Sequence, residues 1–489
     1  MPVAAASPGA APGRVLRVLL TFTVSILTAY LACGPTIIPY DGDIMLRVTQ
    51  SLVNRHSFQI VDPIFHLNQP YSSYGPAVSV LLVPFYAAGR LLAGNGLFLV
   101  PLFEPLLTAL TAAVVMLLLV ELGIRWRRSL LVALAFAFGT LAWQYATRLF
   151  SEPVIALCLL SAVLCLQYYR RTTEARWLAL AGCGLAITVT ARIDSVLLLA
   201  LPVAVYAALL VARTPLRSFR RGLHLLAMAA PMAAGLGLML AYNWLRFGGP
   251  LQTGYAADLA MGFSTPFFQG LYGLLLSPGA GLLVVAPVLV VAALGWRTFL
   301  AQQRGLTLLI AALLALRVLF YASWWLWDGG ANLGPRLLVP LVPLLILPLA
   351  WVSWSRWRTL LGLPLLAVSV GIEVLAQLVP YETYYNQVAD RLWPAGATHL
   401  CDGCGILPIY RGIRAVKDVM DFSPAYSPLL GQTRLLLQGQ MAPFWKSAAV
   451  VAPLAFLIVA LLIWRTWRFA GLIDEGPPHR ERPSLDRVA

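Results

Sequence analysis

The sequence has 489 residues, of which 60% are hydrophobic and only 11% are charged, and its mean hydropathy is +0.79. Soluble domains carry about 25% charged residues, so the composition excludes a soluble globular enzyme and indicates a polytopic membrane protein. The formal net charge of +15 does not indicate nucleic-acid binding. The basic residues stand at the ends of apolar segments, where membrane orientation requires them.

Apolar segments long enough to cross a bilayer follow one another along most of the chain. Residues 1–14 come before them, are low in complexity, and are predicted to be a disordered cytoplasmic N-terminus. A hydrocarbon core of about 30 Å needs roughly 20 apolar residues per helix. The sequence therefore predicts an all-α membrane fold of about twelve spans, at 15–38, 97–120, 129–147, 153–169, 177–191, 195–212, 222–244, 271–294, 305–321, 337–354, 359–380 and 447–464.

The apolar run 76–93 is ambiguous, because it fits either a spanning helix or a helix lying in the membrane interface. It begins with Pro76, contains Pro84 and ends near Arg90. If it is interfacial and the N-terminus is cytoplasmic, the arginine-rich connections face the cytoplasm, as the positive-inside tendency requires. A spanning helix would turn them outward, so an interfacial helix is predicted.

This topology separates a membrane module from its outer parts. Residues 15–380 form the predicted catalytic module with an outer loop at 39–96, and residues 381–446 form a second extracytoplasmic loop. The last span is 447–464, and a cytoplasmic tail follows at 465–489. Polar residues suited to chemistry collect in the outer parts, whereas the inner connections are short and basic, so function is predicted on the outer face.

Three carboxylates are candidates for chemistry at this outer face. Asp41 and Asp43 stand where the first span meets water, before an amphipathic run. They can be helix caps only, or one can be a general base for a hydroxyl or a ligand of a divalent cation such as Mg or Mn. Glu152 opens the fourth span before Pro153. It is either a site carboxylate or a helix-start residue favoured by the helix dipole.

Several arginines accompany these acids on the outer face. Arg192, at a break between spans, is interpreted as a local ion pair with Asp194. Arg246 opposes the orientation trend and leads into a segment that reaches Tyr255. Arg336 follows closely on an aromatic stretch, and its planar guanidinium suits a phosphate. An aromatic interface belt with snorkelling arginines is the alternative explanation.

Two further features lie in outer segments. The stretch Leu276-Ser277-Pro278-Gly279-Ala280-Gly281 breaks a span near its outer end, which exposes backbone amides that could bind an anion. Cys401 and Cys404 form a CxxC in the last outer loop. No second cysteine or histidine pair follows to complete a zinc site, so a disulfide is predicted in an oxidising outer compartment.

Taken together, these segments resemble the GT-C superfamily of membrane glycosyltransferases that use a polyprenyl-phosphate sugar donor. The likeness is to protein O-mannosyltransferases and aminoarabinose transferases, within a bacterial family-39-like branch. It extends over about residues 15–355 and rests on short motifs. These are Asp41-Gly42-Asp43 before the amphipathic helix, Tyr74-Gly75-Pro76, Arg148-Leu149-Phe150-Ser151-Glu152, YNWLRFGGPLQTGY, GLYGLLLSPGAGLL and WWLWDGGANLGPRLL. The family's usual Asp-Glu pair is absent, because Gly42 replaces the glutamate and Asp43 follows.

The resemblance implies an inverting transfer of a sugar to a lipid, glycan or protein acceptor, outside the inner (plasma) membrane. Asp41 or Asp43 would act as the base, while Glu152 would assist the acceptor or hold a cation. The implied donor-phosphate residues are Arg336, Arg246 and Arg148, and the implied substrate-lining residues are Tyr74, Tyr255, Trp325, Trp327 and Asp328. The competing hypothesis is a lipid-carrier flippase or transporter, which would show inverted repeats and charges at mid-membrane.

Overall fold

The structure is a computed structural model that describes residues 12–34, 36–60, 70–392, 406–447 and 451–475. Helices account for 78% of these residues. The β-type pairing among them is limited to two isolated bridges, Ile37 with Arg148 and Gln59 with Tyr71. The predicted disulfide between Cys401 and Cys404 lies outside the described residues.

The described α-helices follow one another in chain order. They are α1 Pro12–Leu31, α2 Tyr40–Arg55, α3 Pro76–Ala93, α4 Phe103–Glu121, α5 Trp126–Gly139, α6 Ala142–Ala146, α7 Glu152–Thr172, α8 Ala175–Ala191, α9 Leu201–Ala212, α10 Ser218–Phe247, α11 Ala256–Met261, α12 Phe267–Leu276, α13 Leu282–Val285, α14 Val288–Ala293, α15 Trp296–Gln302, α16 Arg304–Tyr321, α17 Val342–Leu345, α18 Arg356–Leu378, α19 Tyr381–Leu392, α20 Ile406–Phe422, α21 Pro428–Leu437, α22 Pro443–Ser447 and α23 Val451–Asp474.

Eight helical segments of the described chain are long and apolar enough to cross a membrane. They are Pro12–Leu31, Pro76–Ala93, Gly96–Glu121, Glu152–Thr172, Ser218–Phe247, Arg304–Tyr321, Arg356–Leu378 and Pro453–Asp474. Shorter apolar helices add Ala175–Ala191, Val196–Ala212, Phe267–Leu276 and Arg336–Trp351. The predicted all-α, multi-pass membrane fold is confirmed.

Some predicted spans are interrupted. Span 129–147 divides at Thr140, whose extended backbone ends α5 before α6 begins. Span 271–294 divides into α12, α13 and α14, and Pro287 stands just before the last of them. Span 337–354 is built from 3₁₀ turns around α17. Its prolines lack the amide hydrogens that a continuous α-helix would need, and they are Pro340, Pro343 and Pro348.

Both termini of the chain are more helical than the sequence analysis expects. The first helix begins at Pro12, inside the segment predicted to be disordered. The last helix continues to Asp474, ten residues into the predicted tail. Its end is fixed because the Asp474 carboxylate accepts hydrogen bonds from the first two amides of α5.

The arginine-rich connections meet at one end of the helix bundle, here called the basic end. The Arg128 side chain donates to the Val352 carbonyl oxygen at 2.7 Å, and Arg171 forms an ion pair with Glu121 at 3.4 Å. The other end, here called the Glu152 end, holds the starts of α2, α4 and α7 and the ends of α8 and α16. This separation matches the predicted alternation of the spans; which end is cytoplasmic remains a prediction.

Helices α2 and α3 run side by side in the same direction, away from the Glu152 end. The Thr49 hydroxyl donates to the Ser79 carbonyl at 2.9 Å, and further along the pair the Asn54 amide reaches the Tyr86 hydroxyl at 3.4 Å. Helix α2 is too polar to cross a bilayer. Its charged residues are Asp41, Asp43, Arg47 and Arg55.

The chain returns from the far end of α3 to the start of α4 within residues 94–102. These residues contain two 3₁₀ turns, and at about 2 Å per residue they cover about 18 Å, less than a hydrocarbon core of about 30 Å. Glu104 then accepts a hydrogen bond from the Phe150 amide, two residues before Glu152. The segment from the start of α3 to the start of α4 therefore begins and finishes at the Glu152 end, which agrees with an interfacial α3.

Candidate functional site

Asp41 and Arg336 meet at the Glu152 end although 295 residues separate them. The α2 helix begins at Tyr40 with Pro39 as its N-cap, and no side chain caps it. Asp41 is therefore a first-turn residue whose carboxylate is available to a partner. Arg336 Nη2 lies 2.6 Å from Asp41 Oδ2, and both side chains keep contact with solvent, at 11% and 19% exposure.

Glu152 holds the other side of the same guanidinium. It is the first residue of α7, where Pro153 needs no amide partner, and its side chain is almost fully buried. Glu152 Oε1 accepts from Arg336 Nε at 3.0 Å and from Arg192 Nη1 at 3.2 Å. A buried carboxylate with two cationic partners fixes the positions of both arginines.

The predicted local pair of Arg192 and Asp194 is present, and it continues the series. Arg192 Nε lies 3.1 Å from Asp194 Oδ1. On its other oxygen Asp194 accepts from the Tyr321 hydroxyl and lies 3.5 Å from Arg317. Acids and bases therefore alternate along one line, here called the ionic chain. Its members are Asp41, Arg336, Glu152, Arg192, Asp194 and Arg317.

Aromatic side chains surround Asp41 and Arg336. The Arg336 guanidinium lies over the Phe150 ring, 4.5 Å from its centroid. The Tyr74 hydroxyl faces Asp41, and the pKa of Tyr74 is raised by burial first and then by the negative charge of Asp41. The Tyr255 ring packs edge-on against Tyr74, with centroids 6.3 Å apart. The site therefore combines a carboxylate, a guanidinium and an aromatic wall.

Asp258 is a residue near this wall that the sequence analysis missed. It lies on α11, and its Oδ2 accepts from the Tyr410 hydroxyl of α20 at 3.3 Å. Burial, and then the negative charge of Asp41, raise the pKa of Asp258 to about 6, against the hydrogen bond from Tyr410. The only sequence feature that could have pointed to Asp258 is its position three residues after the candidate substrate-lining residue Tyr255. The sequence does not specify the loop conformation that brings Asp258 close enough to feel the charge of Asp41.

Asp43 lies apart from the ionic chain. Its carboxylate pairs with Arg47 one helical turn later, at 2.6 Å, and both side chains are about one-third exposed. The structure thus brings Asp41, and not Asp43, into contact with Arg336. The assignment of a catalytic base to either residue stays a proposal.

Arg246 and Arg148, both predicted to bind the donor phosphate, are engaged by protein groups instead. Arg246 donates to the carbonyl oxygens of Ser72 and Tyr74 and stacks on the Tyr242 ring at 3.8 Å. It therefore fixes the backbone that carries Tyr74. Arg148 binds both carboxylate oxygens of Glu382, at 3.0 and 3.2 Å, and holds α19 against the site.

Trp325, Trp327 and Asp328, predicted to line the substrate, are buried. The Trp325 ring stacks on Tyr410 with centroids 4.6 Å apart. Asp328 lies 3.1 Å from Lys417 and 3.2 Å from Arg414. The carboxylate is thus committed to other side chains of the protein, and a role in lining the substrate stays a prediction.

The cations of α20 join Asp328 in a second group of charges, here called the α20 cluster. Asp421 completes it, 3.1 Å from Lys417 and 3.0 Å from Arg414. Burial alone would raise the pKa of Asp328, but Lys417 and Arg414 outweigh it and lower that pKa. The Asp328 carbonyl oxygen also accepts from the Arg336 amide at 3.0 Å, so the α20 cluster supports the backbone of Arg336.

The backbone amides of the break at 277–281 are occupied. Gly279 N donates to the Asp421 carbonyl at 3.1 Å, and Gly281 N donates to the Ser277 carbonyl at 2.9 Å. A side chain at Gly279 would collide with the backbone of Met420. The expectation that these amides bind an anion is therefore wrong in this structure, because they dock α20.

The described residues contain no group of three or more His, Cys, Asp or Glu side chains placed to hold a metal ion. Asp41 and Glu152 share Arg336, whose positive charge opposes a cation between them, and Asp43 is paired with Arg47. This arrangement does not fit the predicted Mg or Mn site.

Several residues that make these ionic contacts were missed by the sequence analysis. Arg317 lies within an apolar span, and a charge there is a functional candidate by default. Glu382 and Lys417 lie in the segment predicted to be the last outer loop, whose ordinary polarity gave no sign of these contacts. Their partners are distant in sequence, and no local pattern specifies such pairs.

No family model matches the sequence, and no curated protein matches it. Among solved structures, the chain is similar to ArnT from Cupriavidus metallidurans bound to undecaprenyl phosphate, with 17% identity and a TM-score of 0.52, over 96% of this chain and 78% of that one. The apo state of that ArnT gives 16% identity and a TM-score of 0.48, over 94% and 77% of the chains. The apo oligosaccharyltransferase from Archaeoglobus fulgidus gives 15% identity and a TM-score of 0.44, over 77% and 57%.

The last two TM-scores are too low to support an argument. The first likeness covers nearly all of this chain, and at its low identity it shows a shared fold and nothing finer. The chain therefore shares the fold of that ArnT structure, and it has the all-α membrane architecture that its sequence predicts.

Proposed function

We propose that this protein is a membrane glycosyltransferase. It would move a sugar from a polyprenyl-phosphate donor to a lipid, glycan or protein acceptor, with inversion at the anomeric carbon, on the extracytoplasmic face of the inner (plasma) membrane. The observation that carries the proposal is the contact between the Asp41 carboxylate and the Arg336 guanidinium in a part-open, aromatic site. A base and a phosphate-binding group are the two elements such a transfer needs.

The donor phosphate would bind Arg336 by replacing Asp41. In the structure, Asp41 accepts from Nη2 and Glu152 accepts from Nε of the guanidinium. Because Glu152 is buried and also holds Arg192, Asp41 is the partner that can leave. A phosphate oxygen would take its place on Nη2, and the planar guanidinium suits that geometry.

This exchange would free Asp41 for proton transfer. The acceptor hydroxyl oxygen attacks the anomeric carbon and forms the new glycosidic bond as its proton passes to Asp41. The bond between the anomeric carbon and the phosphate oxygen breaks, and its electron pair leaves with the polyprenyl phosphate. Arg336, held by Glu152, would stabilise the charge that develops on the leaving phosphate.

The shared fold and the chemistry of the site both support this proposal. The similar ArnT structure is described as bound to undecaprenyl phosphate, a carrier of the class proposed here as donor. The acids of the ionic chain lie at the ends of helices, not at mid-membrane, which favours the transferase over the competing flippase hypothesis.

The test combines donor binding and sugar transfer in purified, reconstituted protein. Isotope-labelled polyprenyl-phosphate sugars are supplied with a lipid and glycan acceptor pool. Arg336→Lys keeps the charge but loses the planar fork, so we expect weaker donor binding and slower transfer together. Arg47→Lys, at a pair outside the ionic chain, is the matched control. Carrier translocation across the bilayer without any transfer of label would overturn the proposal.

A further inference from the structure

The far end of the α2–α3 pair holds an open cleft that plays no part in the proposed transfer. Its volume is about 690 Å³, and its polar lining comes from Asn54, Tyr86, Arg90 and Asn95. Helix α2 places Asn54 thirteen residues after Asp41, which corresponds to about 20 Å of helix. The cleft is therefore a separate place from the ionic chain.

One wall of the cleft is fixed by hydrogen bonds. The Arg90 guanidinium donates to the Asn54 side-chain oxygen, and the Asn54 amide reaches the Tyr86 hydroxyl at 3.4 Å. Gly94, with a φ of 66°, ends α3 in the left-handed conformation that favours glycine. The Asn95 side chain then accepts from the Leu97 amide at 2.9 Å, which sets the turn.

Arg90 brings a positive charge to this cleft, and no acid of the described residues forms an ion pair with it. Residues 44–60 and 70–103 contain Arg47, Arg55 and Arg90 and not one aspartate or glutamate. The other N–H groups of its guanidinium are thus available to an anion, for which the planar fork is suited.

Large apolar side chains project from the same tip. The exposed fraction is 86% for Leu91, 75% for Leu92, 43% for Leu97 and 59% for Phe98. Exposed apolar clusters of this kind mark contact with a partner or a membrane. If α3 is the interfacial helix that the sequence predicts, beside the polar α2, its tip would meet the membrane from the interface. An arginine beside such side chains is typical of a segment on an anionic lipid surface.

We propose that this cleft binds the headgroup of an anionic phospholipid, with Arg90 on the phosphate and the lipid chains beside Leu91, Leu92, Leu97 and Phe98. The charge of the cleft selects the anionic headgroup, and the apolar tip selects a lipid over a free anion. The site would hold the α2 helix, which carries Asp41 in its first turn, at a constant depth relative to the membrane.

The first experiment measures lipid selection. Full-length protein in mixed micelles of detergent, phosphatidylglycerol and phosphatidylcholine is analysed by native mass spectrometry for retained lipid. Arg90→Gln should reduce the preference for phosphatidylglycerol by about fivefold, the effect of one arginine near an anionic surface. Arg55→Gln, on the same pair but outside the cleft, is the matched control and should keep it. The proposal would be overturned if Arg90→Gln and Arg55→Gln showed the same preference for phosphatidylglycerol, whether both variants kept that preference or both lost it.

The second experiment locates the tip and does not depend on the Arg90 variant. In a variant whose six native cysteines are replaced, a fluorophore is attached through Leu97→Cys. In vesicles of phosphatidylcholine and phosphatidylglycerol it should be quenched by lipids with a nitroxide on the upper acyl chain. The same fluorophore attached through Gln438→Cys, at an exposed position of the last predicted outer loop, should not be quenched. An unquenched label at Leu97 contradicts a membrane-embedded tip.

A competition measurement separates a lipid site from a simple anion site. If inorganic phosphate displaces phosphatidylglycerol as effectively as a second anionic lipid does, the cleft is a simple anion site and the lipid proposal is overturned. Because none of these readouts uses sugar transfer, failure here and failure of the transferase proposal are distinguishable.

Discussion

The two charged groups of the Glu152 end differ in their access to solvent. The ionic chain keeps Asp41 and Arg336 partly exposed, at 19% and 11%. In the α20 cluster the side chains of Asp328 and Lys417 are fully buried. The two groups meet where the Arg336 amide donates to the Asp328 carbonyl oxygen.

The difference in exposure indicates a difference in role. A buried, mutually satisfied set of charges costs much to open, so the α20 cluster serves to hold α20 and the loop before Arg336 in one arrangement. A partly exposed guanidinium that holds two carboxylates can exchange one of them for a ligand. The same types of side chain thus form a fixed support in one place and a candidate reaction site in the other.

The largest expected effect separates Asp41 from Asp43. Asp41→Asn keeps the size of the side chain but cannot accept the proton, so turnover should fall by about 10²–10⁴-fold while the polyprenyl-phosphate donor still binds. Transfer of labelled sugar and donor binding, measured on the same preparation, check this. Asp43→Asn is the matched control and should stay close to wild type. Equal losses in both variants would remove the distinction drawn from their partners.

The second prediction concerns stability and uses the α20 cluster. Lys417→Met removes a cation that touches two buried acids, and we expect a loss of about 3–5 kcal/mol in the free energy of unfolding. Thermal unfolding of the purified protein in detergent checks the effect. Arg411→Met, on the exposed face of the same helix, should change stability by about 0.5 kcal/mol or less. A stable Lys417→Met protein would mean that the α20 cluster does not hold the fold.

The third prediction uses the titration of Asp258. Its pKa of about 6 in the folded protein lies above the ordinary value of 3.8, so the folded state prefers the protonated carboxyl. Stability should therefore decrease as pH rises from about 4 to about 6. Asp258→Asn removes this loss and should be more stable than wild type by about 1 kcal/mol at pH 7.5, with solvent screening considered. Unfolding measured at pH 4.5 and 7.5 checks it; a difference that is unchanged between the two pH values would refute the shift.

The smallest expected effect is at the exposed pair of Asp43 and Arg47. An ion pair one helical turn apart and open to water contributes about 0.3–0.5 kcal/mol. Arg47→Gln should therefore lower stability by no more than that, and less at high salt. Denaturation at low and high ionic strength measures it. A loss of several kcal/mol would place this pair with the buried α20 cluster.

The sequence by itself determined the membrane class and the alternation of the spans. Hydropathy and arginine placement are local properties, and the bilayer acts on each segment almost independently of the others. The segments around Asp41, Glu152 and Arg336 could also be singled out in this way, because a charge beside an apolar run is conspicuous wherever the chain goes.

Only the tertiary structure decided which of these charges meet. Asp41 and Asp43 differ by two positions and look equivalent in sequence, yet the helix turns one toward Arg336 and leaves the other with Arg47. Arg246 and Arg336 are both predicted to lie at the outer face, but Arg246 donates to backbone carbonyl oxygens whereas Arg336 pairs with carboxylates. Lys417 is buried because α20 packs over Asp328. Charge pairing depends on distances of a few ångströms between segments far apart in the chain, and no local pattern encodes those distances.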